Sequence, residues 1–577
     1  MKTLATILAD IALLQPDKPL FVFPENRWNP HEAISYAELA TRSAAAARSL
    51  LKQVQPGDRA LLLFSTGAPF WESFLGALAC GVIAVPLHIP RFRRSGESLE
   101  ELCRDCQPSI VLTDEKTAEF LQRPANQHLA VSQIPRITPS EWRHETSTGG
   151  PRPASEHDLA LLQYTSGSTA QPKGVRISHG NLLANLIMIR DQMGIREGED
   201  TGVTWLPHYH DMGLVGSYLT TLFTQNTTIC LPPEDFILRP AKWLEQISTH
   251  RASVCGGPDF AYRLCTEKIP DDQLANIDLT SWRIAYVGAE RIRAETLLRF
   301  FRKFADCGFR ESAFFPCYGL GEATLMATGG PPERPPVLRE ISSEAMRTNR
   351  ITPPTSPQDA TTMVGCGKTF LGSHVVIQDL ETGQLLPDER IGEVCLSGPA
   401  VTQGYFHRDE LNEQAFSMIT LDDHSQRFLH TGDLGFLSQG ELFITGRKRE
   451  ILIIRGRNLS PEDIEQSFSG LHPALIPGGA VAFSIDHHGQ ESLILAVELQ
   501  RNADQDFALD LVVTQIRNQV IVSIGVNPIE ILLLKQMAIP RTSSGKPKRL
   551  AVRDFYLNGT LESLFREQPA HEVNKII

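Results

Sequence analysis

The sequence predicts an α/β protein. A large N-terminal domain of several subdomains carries mostly parallel sheets and a small antiparallel, barrel-like part. A small α+β C-terminal domain follows. Three observations predict this. Helix-like and strand-like stretches alternate through the first half of the chain, as crossover connections in parallel sheets require. Short strands separated by turns follow after residue 362. From about residue 450 a new strand–helix–strand pattern begins, long enough for a compact domain. The 577 residues would fill about three to five domain-sized units.

The elements follow in order. MKTLATILADIALLQPDKP places Leu4, Ile7, Leu8 and Ile11 at helical spacing, with Asp10 interrupting the apolar run, so it reads as an amphipathic surface helix and not as a signal peptide. Helical SYAELATRSAAAARSLLKQ (35–53) precedes strand-like RALLLF (59–64). The apolar stretch FLGALACGVIAVPLHI (74–89) is too short to span a bilayer and contains Pro86, so it reads as a helix followed by a buried strand. A helix (98–106) and a strand (109–114) come next, and the rhythm returns around 182–232 and 236–287. Residues 331–362 interrupt it. They are too rich in proline for a regular element and too long for an ordinary loop, so they read as an insertion. HVVIQD, GEVCLSG, RFLHTGD and LFITGR then suggest a mainly antiparallel unit. We place the large domain at 1–446 and the small one at 447–577.

Composition narrows the function classes. Hydrophobic residues at 42% and charged residues at 21% indicate an ordinary globular protein. A net charge of −12 argues against nucleic-acid binding, which rests on phosphate neutralisation. No integral membrane segment is expected. Among ten scattered cysteines, Cys103 and Cys106 form a lone CxxC, which is weak evidence for zinc and fits free thiols in a cytoplasmic protein.

One loop points to chemistry. LALLQY (159–164) reads as a strand running into TSGSTAQPKG, then VRIS, then a helix capped by Ser178. The loop offers the hydroxyls of Thr165, Ser166, Ser168 and Thr169, backbone N–H groups around Gly167, and the charge of Lys173. Together these suit a polyphosphate. It is not a Walker A loop, because Pro172 and a strand stand where a helix should begin. GCGKT (365–369) lacks the first glycine of that pattern and reads as a chance match.

YTSGSTAQPKGV (164–175), WLPHYHDMG (205–213), YGLGEAT (318–324), HTGD (430–433), GRKREILIIRGRNLSPEDIE (446–465) and PRTSSGKPKR (540–549) occur in that order. In these motifs the chain resembles the adenylate-forming enzymes (acyl-CoA ligases, adenylation domains and luciferases) over nearly its whole length. Ala170 stands where that family usually has glycine. WLPHYHDMGL, VGAERI (287–292) and the insertion are most similar to the fatty acyl-AMP ligase branch.

The resemblance implies roles. Lys546 would bridge the reacting carboxylate and the α-phosphate of ATP. Glu322 and Thr169 would hold Mg²⁺. Tyr318, with Gly319 beside it, would stack on adenine, and the Gly288–Ala289–Glu290 backbone would line its other side. Asp433 would accept the ribose hydroxyls, with Arg447 as a second ribose or phosphate contact. His210 would lie near the reacting groups. HxH at 208 and 210 would put both rings on one face of a strand, but no third ligand suggests a metal there. Arg449 occupies the hinge position, about which a mobile C-terminal domain would rotate.

The implied activity is ATP-dependent formation of a fatty acyl-adenylate, followed by transfer to the phosphopantetheine thiol of an acyl carrier protein. The C-terminal TLESLFREQPAHEVNKII has no serine-centred attachment motif, so the carrier would be a separate protein. The alternatives are a fatty acyl-CoA ligase, an amino-acid adenylating enzyme and a non-catalytic nucleotide sensor.

Overall fold

The computed structural model describes residues 3–25, 31–89, 96–145, 154–165, 172–370, 372–421, 424–454, 457–487, 490–542 and 545–566. Two mostly parallel sheets build its larger part. In a six-stranded sheet, Arg136–Ile137, Ile110–Thr113, Arg59–Leu63, Ile83–Leu87 and Leu159–Thr165 run parallel, and Lys173–Ser178 closes the edge antiparallel. In a nine-stranded sheet the parallel run passes from Phe314–Gly319 through Ile284–Gly288, Val254–Pro258, Thr201–Thr204 and Thr227–Cys230 to Pro19–Phe23. Antiparallel strands flank that run at both ends. The central strands are apolar on both faces because helices cover both. Every residue of Ile83–Leu87 and of Ile284–Gly288 is buried.

The first helix, Leu4–Leu14, buries Leu4, Leu8 and Ile11 and starts from a capping box at Thr3. Helix His179–Met193 is capped by Ser178 with Asn181, as its sequence suggested. Among the described residues no helix is long and apolar enough to cross a membrane. Cys103 and Cys106 are buried, and burial pushes their thiols up to about 11 and about 12.

The antiparallel unit takes the expected form. Strand His424–Ser438 pairs with Gly392–Ser397, Phe416–Leu421 and Glu441–Arg447, and His374–Gln378 completes five strands. GCGKT ends in the short edge strand Lys368–Thr369, where Lys368 Nζ donates to the Gln439 carbonyl at 2.9 Å. That is a structural lysine and not a phosphate loop.

The insertion departs from expectation. Leu338–Ser342 and Ala360–Val364 pair as an antiparallel hairpin, and a short helix, Ser343–Met346, sits at its turn. The prolines lie outside these strands, at 331, 332, 335, 336, 353, 354 and 357, so they leave the ladder intact. Ile341, Ile351 and Met363 pack on Leu434, Phe436 and Phe443 of the five-stranded sheet.

The C-terminal region has its own core. Leu452, Ile464, Leu495, Val512 and Ile516 cluster apart from the large core that links the two parallel sheets. A four-stranded sheet, Leu475–His487, Gln490–Leu499, Glu530–Leu534 and Phe565–Arg566, carries the helices Pro461–Ser467 and Leu509–Ile524. A hairpin, Leu452–Ile454 with Arg457–Leu459, leads into it. That hairpin meets the insertion: Asn458 Nδ2 donates to Asn349 Oδ1 at 3.3 Å, and Arg457 lies 3.6 Å from Glu344.

Candidate active site

A cleft of about 1590 Å³ opens where the nine-stranded sheet, the five-stranded sheet and the C-terminal region converge. One wall is the carboxyl-end loops of the parallel strands, which carry Ala289, Glu290, Tyr318, Gly319 and Glu322. Ligands favour this edge in α/β sheets. Gly319 is required here, because a Cβ on it would fall 1.7 Å from the Leu325 carbonyl oxygen. Gly288 ends its strand just behind this wall.

Asp433 and Arg447 are register partners on the five-stranded sheet. Arg447 Nε donates to Asp433 Oδ1 at 2.9 Å, and the Tyr318 hydroxyl donates to Oδ2 at 2.7 Å. Each carboxylate oxygen keeps a free lone pair, so Asp433 still has room for two hydroxyl donors. Beyond Arg447 the backbone turns, held by Lys448 Nζ 3.2 Å from Glu393 Oε2. Arg449 follows, exposed on the rim of the cleft.

Glu322 sits in the short turn Gly321–Ala323 that leaves strand Phe314–Gly319. The Tyr405 hydroxyl donates to its Oε1 at 2.7 Å. Burial raises the Glu322 carboxyl above its ordinary range, partly offset by Tyr405.

The hydroxyl-rich loop is fastened at its ends, where Thr165 and Lys173 are antiparallel partners. Ser166, Gly167, Ser168 and Thr169 lie outside the described residues, as does the side chain of Thr165. Lys173 lines the cleft with its ammonium 5.6 Å from the centre of the Tyr405 ring. Burial, and then the charge of Arg449, lower its pKa.

Lys546 enters from the C-terminal region, and its ammonium donates to the Ala289 carbonyl. Ala289 adopts a left-handed φ of 64°, at the point where the chain leaves its strand. Glu290 also lines the cleft, its Oε1 accepting the Phe260 N–H at 2.7 Å. A second link across the cleft pairs Arg291 with Asp463 of the C-terminal region.

The HxH pair does not lie on a strand. Strand Thr201–Thr204 has ended, and the His210 N–H closes a turn onto the Pro207 carbonyl at 3.2 Å. The two rings therefore diverge. His208 is buried against Phe70, with ring centres 4.3 Å apart. His210 faces the cleft, its Nδ1 2.8 Å from Asp211 Oδ1. Burial alone would raise the Asp211 carboxyl, but His210, with the Met212 N–H donating to Oδ1 at 2.7 Å, outweighs it and holds it below its ordinary value.

Beyond these polar groups the cleft continues between Ile189, Met193, Met212, Leu325 and Met326. An apolar recess therefore opens beside a mouth lined by charged side chains. Asp433, Arg447, Glu322, Tyr318, Lys173, His210 and Lys546, which the motifs assign to one site, all line this cleft. Tyr405, the Arg291–Asp463 pair and the Lys448–Glu393 pair are not legible in the motifs. Arg291 and Lys448 lie inside quoted motifs, but their partners are distant in sequence.

Two carboxylates, Asp433 and Glu322, and two lysines, Lys173 and Lys546, thus line one cleft. The AMP-binding enzyme family matches residues 8–406, and the chain belongs to that family. Within it the chain falls with the fatty acyl-AMP ligases. It is 36% identical to the medium-chain-fatty-acid–[acyl-carrier-protein] ligase JamA of Moorena producens, covering 97% of this chain and 96% of that one. It is 32% identical to the long-chain-fatty-acid–AMP ligase FadD32 of Mycolicibacterium smegmatis, covering 92% and 90%. The crystal structure of the fatty acyl-adenylate ligase from Legionella pneumophila, in complex with acyl adenylate and pyrophosphate, superposes with a TM-score of 0.75 at 33% identity, covering 98% of each chain.

Proposed function

We propose that the protein activates a fatty acid with ATP and transfers the acyl group to the phosphopantetheine thiol of a separate acyl carrier protein. In the first step a carboxylate oxygen attacks the α-phosphorus, the bond to the β-phosphate breaks, and acyl-adenylate and pyrophosphate result. In the second the thiol attacks the acyl carbon, AMP leaves and the thiol proton is released. The observation that carries this reading is the Lys546 contact with Ala289, which brings a cation from the C-terminal core to the edge of a cleft holding Asp433 and Glu322. Two anions must meet in the first step, and fixed positive charge at their meeting point lowers the barrier. The apolar recess accommodates an alkyl chain.

Residues 1–446 act as the platform and 447–577 as a lid hinged at Arg449. Asp433 binds the ribose, Arg447 the ribose or a phosphate, and Tyr318 the adenine. Thr165 to Thr169 and Lys173 bind the phosphates, and His210 stands at the reacting carboxylate. Glu322 fits Mg²⁺: it is a half-buried carboxylate in the cleft, held at Oε1 by Tyr405, and Mg²⁺ is ordinarily bound by one or two carboxylates together with substrate phosphates. Glu322 and Thr169 would hold the ion, which would offset phosphate charge.

The test is a product assay with ATP, a panel of fatty acids, and either CoA or a phosphopantetheinylated carrier. Acyl-AMP with CoA present, and thioester on the carrier alone, are the expected products. Efficient acyl-CoA synthesis by the intact enzyme would replace this reading with that of a CoA ligase.

A further inference from the structure

Residues 400–406 touch both halves of the site. Towards Glu322, the Thr402 N–H donates to the Glu322 carbonyl at 2.8 Å, and Thr324 Oγ1 donates to the Ala400 carbonyl at 2.7 Å. Towards the strand that follows the hydroxyl-rich loop, Arg176 N–H donates to the Gly404 carbonyl at 2.9 Å and Phe406 N–H to the Gly174 carbonyl at 2.8 Å. The segment is thus an extra rung on that strand, with Tyr405 opposite Val175.

Asn412 closes the other side. Its Oδ1 accepts the Tyr405 N–H at 2.6 Å, and its Nδ2 donates to the Tyr405 carbonyl at 2.9 Å. Gly404 has φ +117°, and a Cβ there would fall 2.3 Å from Asn412 Oδ1, so glycine is what admits this clamp. The backbone of Tyr405 is held from two directions, and its side chain ends on two charged site groups. Its hydroxyl binds Glu322, and its ring lies under the Lys173 ammonium. A tyrosine kept for packing alone would not need both.

We infer that Tyr405 is a positioning residue for adenylation, holding the Glu322 carboxylate through its hydroxyl and the Lys173 ammonium through its ring. One clamped side chain thereby fixes the distance between the cation side and the phosphate side of the bound nucleotide. Preorganised groups stabilise a transition state without reorganising during the reaction. The inference rests on the function proposed above.

The test uses the full-length enzyme and separates the two contacts. Tyr405→Phe keeps the ring and removes the hydrogen bond, whereas Tyr405→Leu removes both contacts. Two quantities are read: the Mg²⁺ dependence of pyrophosphate release, and calorimetric ATP affinity with Mg²⁺ and in EDTA. The Phe variant should need roughly tenfold more Mg²⁺ for half-maximal rate, with ATP affinity in EDTA unchanged, because it loses one hydrogen bond to a charged group. The Leu variant should in addition bind ATP in EDTA about threefold or more weakly, because the cation–π contact is lost. Parallel losses of rate and melting temperature, with Mg²⁺ dependence and metal-free affinity unmoved, would overturn the inference.

Asn412→Ala leaves Tyr405 in place and loosens its clamp. It should shift the Mg²⁺ requirement in the same direction by a factor of about two to three, a few tenths of a hydrogen bond's worth. No shift there would also count against the inference. A wild-type enzyme that forms no acyl-adenylate would instead defeat the underlying function.

Discussion

The Tyr318 hydroxyl donates to Asp433 Oδ2 at 2.7 Å and so ties strand Phe314–Gly319 of the nine-stranded sheet to the five-stranded sheet across the cleft. With Arg447 on its other oxygen, the Asp433 carboxylate is held in one orientation. Asp433→Ala should weaken ATP binding more than fatty-acid binding. Tyr318→Phe, which keeps the ring, should weaken ATP binding by about 1 kcal/mol, or roughly fivefold. Calorimetric titrations with each ligand separate the two. Unchanged nucleotide affinity in the Ala variant would contradict ribose binding by Asp433.

Lys546→Ala should reduce acyl-adenylate formation by about 10²–10³-fold, the usual cost of removing one group aimed at developing charge. The side chain is half-buried at a cleft rim, so the melting temperature should hold. Pyrophosphate release and a thermal melt check both points, and near-normal adenylation would remove Lys546 from the mechanism.

The insertion hairpin bears on the choice of acceptor. Its contacts through Asn349 and Glu344 reach the hairpin that leads into the C-terminal region, where they would restrain rotation of a lid. Ser342 and Ala360 are register partners, so residues 343–359 can be replaced by a tight turn without disturbing the remaining ladder. The lost contacts are worth about 1–2 kcal/mol together, enough to shift a conformational ratio roughly tenfold. Acyl-CoA formation by the shortened enzyme should rise accordingly. A shortened enzyme that still releases acyl-AMP alone would show that the CoA site is missing and not merely restrained.

Two buried histidines should make the fold lose stability towards acid, against the opposite pull of Asp259, whose carboxyl burial pushes up to about 7. Burial pushes His208 from 6.5 down to about 3, and His179 down to about 4. The unfolded chain therefore binds more protons than the folded one between these values and 6.5. This part of the stability is complete above about pH 6.5 and is lost as pH falls towards 3. Each histidine contributes up to about 1.4 kcal/mol per pH unit in that window. His208→Phe keeps a ring beside Phe70 and should lessen the fall in melting temperature between pH 7 and pH 5. Identical pH slopes in both proteins would show that His208 is not held neutral by the fold.

Local periodicity made most of the fold legible. Leu4, Leu8 and Ile11 form a helical stripe, Ile83–Leu87 is a continuous apolar run, and Ser178 precedes its helix with a cap, each within a few residues. Two local readings failed for local reasons. Prolines dominated the composition of the insertion although they flank its strands, and HxH looked like a strand because the turn from Pro207 to His210 has no glycine to announce it.

The fold class, the antiparallel unit and the residue types of the site follow from the amino-acid sequence, because periodicity, capping and motif chemistry act between near neighbours. Tertiary structure alone decided how those residues meet. Tyr318 finds Asp433 across 115 residues, Tyr405 finds Glu322 across 83, and Lys546 reaches Ala289 across 257. Such pairings depend on how sheets and separate cores pack, and no local pattern encodes that geometry.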